Sequence, residues 1–142
     1  YRMAAIQGAV LNSKLPYLEE WTEKRRTIAG LYNEWLKGIG DIQIPEERKD
    51  TYCVYHLYVI QTEKRDELQA HLQKNGIGTG LHYPVPLHLQ KAYKNLGYQN
   101  GDFPTAERTA MRILSLPMFP ELSHAQVRYV CDKIREFPPY KA

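Results

Sequence analysis

Asn75 to Tyr93 reads Asn-Gly-Ile-Gly-Thr-Gly-Leu-His-Tyr-Pro-Val-Pro-Leu-His-Leu-Gln-Lys-Ala-Tyr, and no other stretch restricts the fold of this 142-residue chain so tightly. Its three glycines, two prolines, two histidines and two tyrosines have no use as plain core. Asn75-Gly76 closes a preceding helix, because glycine accepts the left-handed conformation common at helix C-termini. Gly78 and Gly80 flank Thr79 in a short extended run, where glycine marks a bulge or a close approach by backbone or ligand. Pro84 and Pro86 hold the backbone extended, each fixing its own φ and biasing its predecessor away from the α region. His82, Tyr83 and His88 are thereby presented on a stiff ribbon. Residue types alone leave two uses open: a surface for a polar ligand, or a proline-kinked loop whose histidines bond local carbonyls.

The length fits one domain, or one domain with an appended helical element. Nineteen basic residues against sixteen acidic ones give a net charge of +3, with both signs interspersed. That balance does not argue for nucleic acid or an anionic membrane as partner. Cys53 and Cys131 are far apart and form no C-x-x-C pair, which points away from a disulfide scaffold and toward a reducing cytoplasm. No apolar run approaches the roughly 20 residues needed to span a bilayer. The chain opens without Met and directly in a helical pattern, so a piece of a longer protein is expected.

Ile6, Val10, Leu11 and Leu15 recur at helical spacing and predict a short helix over 3–14 with one apolar face. Pro16 suits the first turn of a second helix. Leu18, Trp21, Ile28, Leu31, Tyr32 and Trp35 carry its stripe to Gly38. Glu19, Glu20, Glu23, Lys24, Arg25 and Arg26 read as its solvated face, laced by i,i+4 pairs. Tyr52 to Gln61 alternates over two apolar or aromatic faces and predicts a central strand covered on both sides, with His56 as a satisfied core histidine. Thr62 can cap a helix from Glu63 to Lys74. This strand, this helix and the Thr79–Tyr83 run predict one β-α-β unit, hence a small layered α/β domain. Further on, a short helix over 89–96 ends at Gly97, and another opens at Asp102 or Phe103 with Pro104 in its first turn. Residues 115–118 are briefly extended. Ser123-His-Ala-Gln126 has the capping-box form ahead of a last helix with Val127, Val130, Cys131 and Ile134 inward.

The chemistry these residues could carry is narrow. Zinc held by His82 and His88 would need two further ligands that nothing supplies, so no metal is expected. Both cysteines fall on apolar stripes, where thiols are inert, which removes a Cys-His nucleophile. Gly76-Ile-Gly-Thr-Gly precedes a proline ribbon, unlike a phosphate-cradling loop, which precedes a helix N-terminus.

Many segments together resemble one family. Arg2-Met3, Gln7-Gly-Ala-Val, Lys14-Leu, Glu20-Trp21, Arg25-Arg26 and Tyr55-His56-Leu57-Tyr58-Val59 are followed in order by Gly76-Ile-Gly-Thr-Gly and His82-Tyr-Pro-Val-Pro-Leu-His88. Gly101-Asp-Phe-Pro, Ala106-Glu-Arg and Leu114-Ser-Leu-Pro-Met complete the set. The series is similar to the C-terminal portion of the DegT/StrS sugar aminotransferases. One departure is Ala4, where the family usually carries an acidic residue after Arg-Met.

The resemblance implies a C-terminal α/β (α+β) small domain of a fold-type-I aminotransferase, residues 41–142, preceded by connecting helices over 1–40. It implies pyridoxal phosphate as cofactor, glutamate and a nucleotide-linked keto sugar as substrates, a homodimer, and a cytoplasmic enzyme. Under it, Arg2 is expected beside the cofactor and the dimer interface, as a fixed cation suited to phosphate or carboxylate. His82, Tyr83 and His88 are expected to line the substrate entrance. The Schiff-base lysine is expected upstream of Tyr1, so no catalytic residue is expected here. A same-family dehydratase, or a non-catalytic module that binds a partner through the ribbon, remains open on sequence grounds.

Overall fold

In the computed structural model, residues 3–141 are described. Seven regular elements follow one another: α1 (Ala5–Lys14), α2 (Leu18–Leu36), β1 (Tyr58–Gln61), α3 (Arg65–Lys74), α4 (Pro104–Arg112), β2 (Ile113–Leu116) and α5 (His124–Arg135). Short 3-10 turns join some of them, including Leu87–Leu89 and Lys91–Leu96, which replace the single helix expected at 89–96.

β1 and β2 pair antiparallel, Tyr58 opposite Leu116 and Ile60 opposite Leu114. Side chains alternate across a strand, so these four share one face, and all are buried. They form the core with Ile28, Tyr32 and Leu36 of α2, Leu68 and Leu72 of α3, and Val127, Cys131 and Ile134 of α5. Val59, Gln61, Ile113 and Ser115 occupy the opposite face. Two single bridges widen the sheet, Gln43 to Gln61 on the β1 side and Gly80 to Ser115 on the β2 side. The Gly80 run and β1 are each antiparallel to β2 and therefore parallel to one another. The expected β-α-β unit is thus split, with β2 inserted between its strands.

The long strand expected over 52–61 is four residues. Arginine guanidinium groups take the carbonyls that a neighbouring strand would otherwise bond. Arg25 Nη1 donates to the carbonyls of Met118 at 3.0 Å, His56 at 3.3 Å and Tyr55 at 3.4 Å. Arg26 Nη1 donates to the Cys53 carbonyl at 2.6 Å and to Glu47 at 2.7 Å, with its guanidinium 4.2 Å from the Tyr52 ring centroid. Tyr55 takes a φ of 46° and turns the chain out of register. Three readings are corrected: Arg25 and Arg26 are half-buried pins, while His56 and Cys53 are exposed. The remainder of the charged face holds as expected, Lys24 pairing with Glu20 at 2.6 Å.

Thr62 does not cap α3 as expected: the helix starts at Arg65 rather than Glu63, and the Thr62 hydroxyl accepts from the Lys64 N–H at 3.0 Å in the turn before it. The Ser123-Gln126 capping box forms as read. α1 forms too, but with no buried residue, and Ile6 is 75% and Leu15 64% exposed. The second half of α2 lies in the core, through Ile28, Ala29, Tyr32 and Leu36, while Leu18 is exposed and Trp21 only half-buried.

Candidate functional site

The ribbon starts where the Gly80 run crosses β2. The Ser115 N–H donates to the Gly80 carbonyl at 2.8 Å, and the Gly80 N–H donates to the Ser115 carbonyl at 3.1 Å. The bare Cα of Gly80 leaves the room that the His82 ring occupies. A Cβ there would lie 2.6 Å from His82 Cε1 and 3.3 Å from its Nδ1, inside contact distance. The imidazole is held in that place, because its Nδ1 is 2.9 Å from Ser115 Oγ. Ser115 is 4% exposed, whereas His82 is exposed.

Tyr83 follows with its ring edge-on to His82, centroids 5.6 Å apart, and is 72% exposed. His82 and Tyr83 therefore stand together as a polar, aromatic step above the β2 edge. The prolines keep the backbone from folding over it.

His88 is placed differently. Its side chain is 7% exposed, with Nε2 2.9 Å from Glu107 Oε1 and the ring 4.8 Å from that of Phe103. The Glu107 carboxylate also accepts from the Gly101 N–H at 2.9 Å and the Phe103 N–H at 3.2 Å. Burial pushes the Glu107 carboxyl upward, but the Gly101 N–H, His88 and the Phe103 N–H outweigh it and hold the group below the usual range. His88 thus ties the ribbon's far end to the loop ahead of α4, and it does not join the exposed step of His82 and Tyr83. Arg2 lies outside the described residues.

Two contributors escaped the residue-type reading. Ser115 looked like part of a brief extended run, although a hydroxyl between Leu114 and Leu116 must find a partner if the run is buried. Glu107 entered only as one letter of a motif, yet a carboxylate in the first turn after Phe103-Pro104 is well set to accept N–H groups at a helix start. Among the described residues, no group of three or more His, Cys, Asp and Glu side chains is arranged to hold a metal ion. An open groove of about 640 Å³ lies beside the ribbon's start, between Gly78, Pro117, Phe119, Leu122 and Tyr129, and none of His82, Tyr83 and His88 lines it.

The whole chain has close counterparts. Residues 1–135 match the DegT/DnrJ/EryC1/StrS aminotransferase family. The chain belongs to that family. It is 48% identical over 138 residues to the "Pleiotropic regulatory protein" of Geobacillus stearothermophilus, covering 96% of this chain and 37% of that one. It is 41% identical over 136 residues to the dTDP-3-amino-3,4,6-trideoxy-alpha-D-glucose transaminase of Streptomyces venezuelae, covering 96% and 36%. The fold superposes on the crystal structure of S. venezuelae DesV in complex with a ketimine intermediate, with a TM-score of 0.92 at 41% identity over 95% of this chain and 36% of that one. A Brucella abortus DegT DnrJ EryC1 StrS aminotransferase superposes with a TM-score of 0.89 at 41% identity, covering 99% and 37%. The chain therefore spans little more than a third of the relatives it matches. It has the mixed helix-and-sheet fold of the corresponding portion of these aminotransferases.

Family membership implies pyridoxal phosphate, but the described residues do not fit its attachment. A Schiff-base lysine needs an amine desolvated or otherwise held below its ordinary pKa. Every described lysine is exposed except Lys133. Lys133 is bonded to Glu136 at 2.6 Å, and that hydrogen bond raises its ammonium above the ordinary value. No chemical step through the cofactor follows from these residues.

Proposed function

We propose that this chain is the substrate-facing C-terminal part of a cytoplasmic, pyridoxal-phosphate-dependent aminotransferase that moves an amino group from glutamate to a nucleotide-linked keto sugar. The observation that carries this reading is the likeness, along nearly the whole of this chain, in sequence to a dTDP-sugar transaminase and in fold to S. venezuelae DesV, solved in complex with a ketimine intermediate. Residues 41–142 are the small domain, and the helices over 1–40 connect it to the rest of the enzyme and to a second subunit. The exposed apolar side of α1 supports that role. The chain's own work is recognition: His82 and Tyr83 offer polar atoms and an aromatic surface to the sugar nucleotide, and His88 keeps the ribbon in place. Arg2 is assigned the cofactor phosphate or a substrate carboxylate.

The test uses the full-length protein with pyridoxal phosphate, glutamate and a series of nucleotide-linked keto sugars. Amino-sugar formation that depends on both substrates is expected. Loss of water from the sugar without amino transfer would replace the reading with a dehydratase. His82→Ala should lower kcat/KM for the keto sugar by about 10-fold to 100-fold, on the scale of one to two hydrogen bonds, and leave the glutamate half-reaction within about twofold. Equal loss in both halves would assign His82 a structural role.

A further inference from the structure

We infer that Ser115 is a positioning residue that fixes His82 in the tautomer bearing its proton on Nε2, so that the ribbon presents a hydrogen-bond donor to an acceptor oxygen of the ligand. Both main-chain groups of Ser115 are used by Gly80, at 2.8 and 3.1 Å. Its hydroxyl is left as the free variable. Ser115 is 4% exposed, and His82 Nδ1, at 2.9 Å, is the hydroxyl's partner among the described residues.

A hydroxyl carries one hydrogen and two lone pairs, and a buried hydrogen without an acceptor loses its hydration with no return. The arrangement that satisfies both atoms has Oγ–H donating to Nδ1. A neutral imidazole carries a single N–H, so that hydrogen sits on Nε2. Nε2 has no partner among the described residues, and His82 is exposed. The opposite assignment, Nδ1–H donating to Oγ, would strand the hydroxyl hydrogen in the sheet and make the outward nitrogen an acceptor.

The ring is held in place as well as in tautomer. It lies against the bare Cα of Gly80, its Cε1 only 2.6 Å from where a Cβ would stand, and meets the Tyr83 ring edge-on at 77°. A donor with fixed direction discriminates by chemistry: it accepts a hydroxyl, carbonyl or phosphate oxygen and rejects an ammonium group. Within the proposed function, on which this half of the inference rests, the oxygen belongs to the sugar nucleotide.

The tautomer is read directly in the full chain by long-range 1H–15N correlation on 15N-histidine protein. The measurement is made at about pH 8.5, above the ordinary histidine range, with His82 assigned by the signal lost in His82→Gln. A protonated Nε2 and an unprotonated Nδ1 are expected. Ser115→Ala should shift the signal toward a tautomer mixture, and Ser115→Thr, which keeps the hydroxyl, should restore it. Gly80→Ala pushes the ring away without touching the hydroxyl and should give the same mixture. A wild-type proton on Nδ1, or an unchanged signal in both Ser115→Ala and Gly80→Ala, overturns the positioning role.

The ligand half is read in the same proteins by steady-state kinetics. Ser115→Ala should raise KM for the nucleotide-linked keto sugar by about threefold to tenfold, more than it lowers kcat, as expected for one weakened hydrogen bond. A lost tautomer signature with unchanged KM overturns the ligand assignment. Absence of turnover in the wild type would sink the proposed function, while the NMR outcome still decides the role of Ser115.

Discussion

Tyr140 is a single side chain on which the C-terminal segment depends. Its hydroxyl lies 2.5 Å from both Asp41 Oδ1 and Thr62 Oγ1, and its ring occupies the space over Gly40. Gly40 has a φ of +49°, and a Cβ there would stand 2.1 Å from the ring. The ring cannot step aside while its hydroxyl is anchored. Gly40→Ala is therefore expected to destabilise the chain by roughly 2–4 kcal/mol, combining the left-handed penalty with overpacking. Urea denaturation should show a lower midpoint at unchanged slope, and a change below about 0.5 kcal/mol would contradict the packing described. Legibility at this scale was uneven. Cys131 is buried as read, and burial pushes its thiol up to about 12. Cys53 was read as buried too and is exposed, because alternation in the sequence does not reveal that Arg26 has pulled that stretch off the sheet.

Elements were legible where the signal is local. The capping box of α5, the proline at the start of α4 and the close of α3 depend on neighbours a few residues away, and all appear. The strand over 52–61 and the contiguous β-α-β unit failed for a shared reason: their deciding partners, Arg25 and Ser115, are distant in sequence. The link between the ribbon and α4 has a testable charge dependence. Glu107 has a carboxyl pKa held below its ordinary value, so it binds its proton less readily folded than unfolded. Its contribution is complete above the unfolded value of about 4.3 and disappears as pH falls through the lower, folded value. Amide exchange at Gly101 and Phe103, corrected for intrinsic rates, should accelerate as pH falls through that lowered value and the carboxylate is lost. Glu107→Gln should show the faster exchange already at neutral pH. Unaltered protection in that variant would mean that the loop is held by something other than this carboxylate.

The molecule as a whole divides by burial. Leu114, Tyr58 and Tyr32 are fully buried, the two tyrosine rings stacked with centroids 4.8 Å apart and their hydroxyls bonded to Asn33 and to the Pro117 carbonyl. Val10 on α1, in contrast, is 53% exposed. Leu114→Ala should cost about 2–5 kcal/mol through lost burial and the cavity left behind. Val10→Ala should stay within about 0.5 kcal/mol in this chain, since a surface truncation removes little. Comparable losses from the two, measured by chemical denaturation, would contradict the division. The fold class and the family were both legible from sequence, because motifs spread from end to end carry them together. The candidate site was legible only in part: His82 and Tyr83, singled out from composition and resemblance, stand side by side, but His88 packs against Glu107 instead and the hydroxyl beneath His82 required the sheet.

The insertion of β2 between β1 and the Gly80 run also sets an order of assembly. During synthesis from the N-terminus, β1, α3 and the whole ribbon emerge before Ser115 does. The ribbon then has nothing to bridge to, and its exposed His82–Tyr83 edge takes shape only when a strand some thirty residues later slides between two segments already made. Sequence-distant pairings of this kind close late in folding. A nascent chain halted after α4 would expose both unpaired edges at once, which makes that stretch of translation the interval of greatest exposure to wrong pairing.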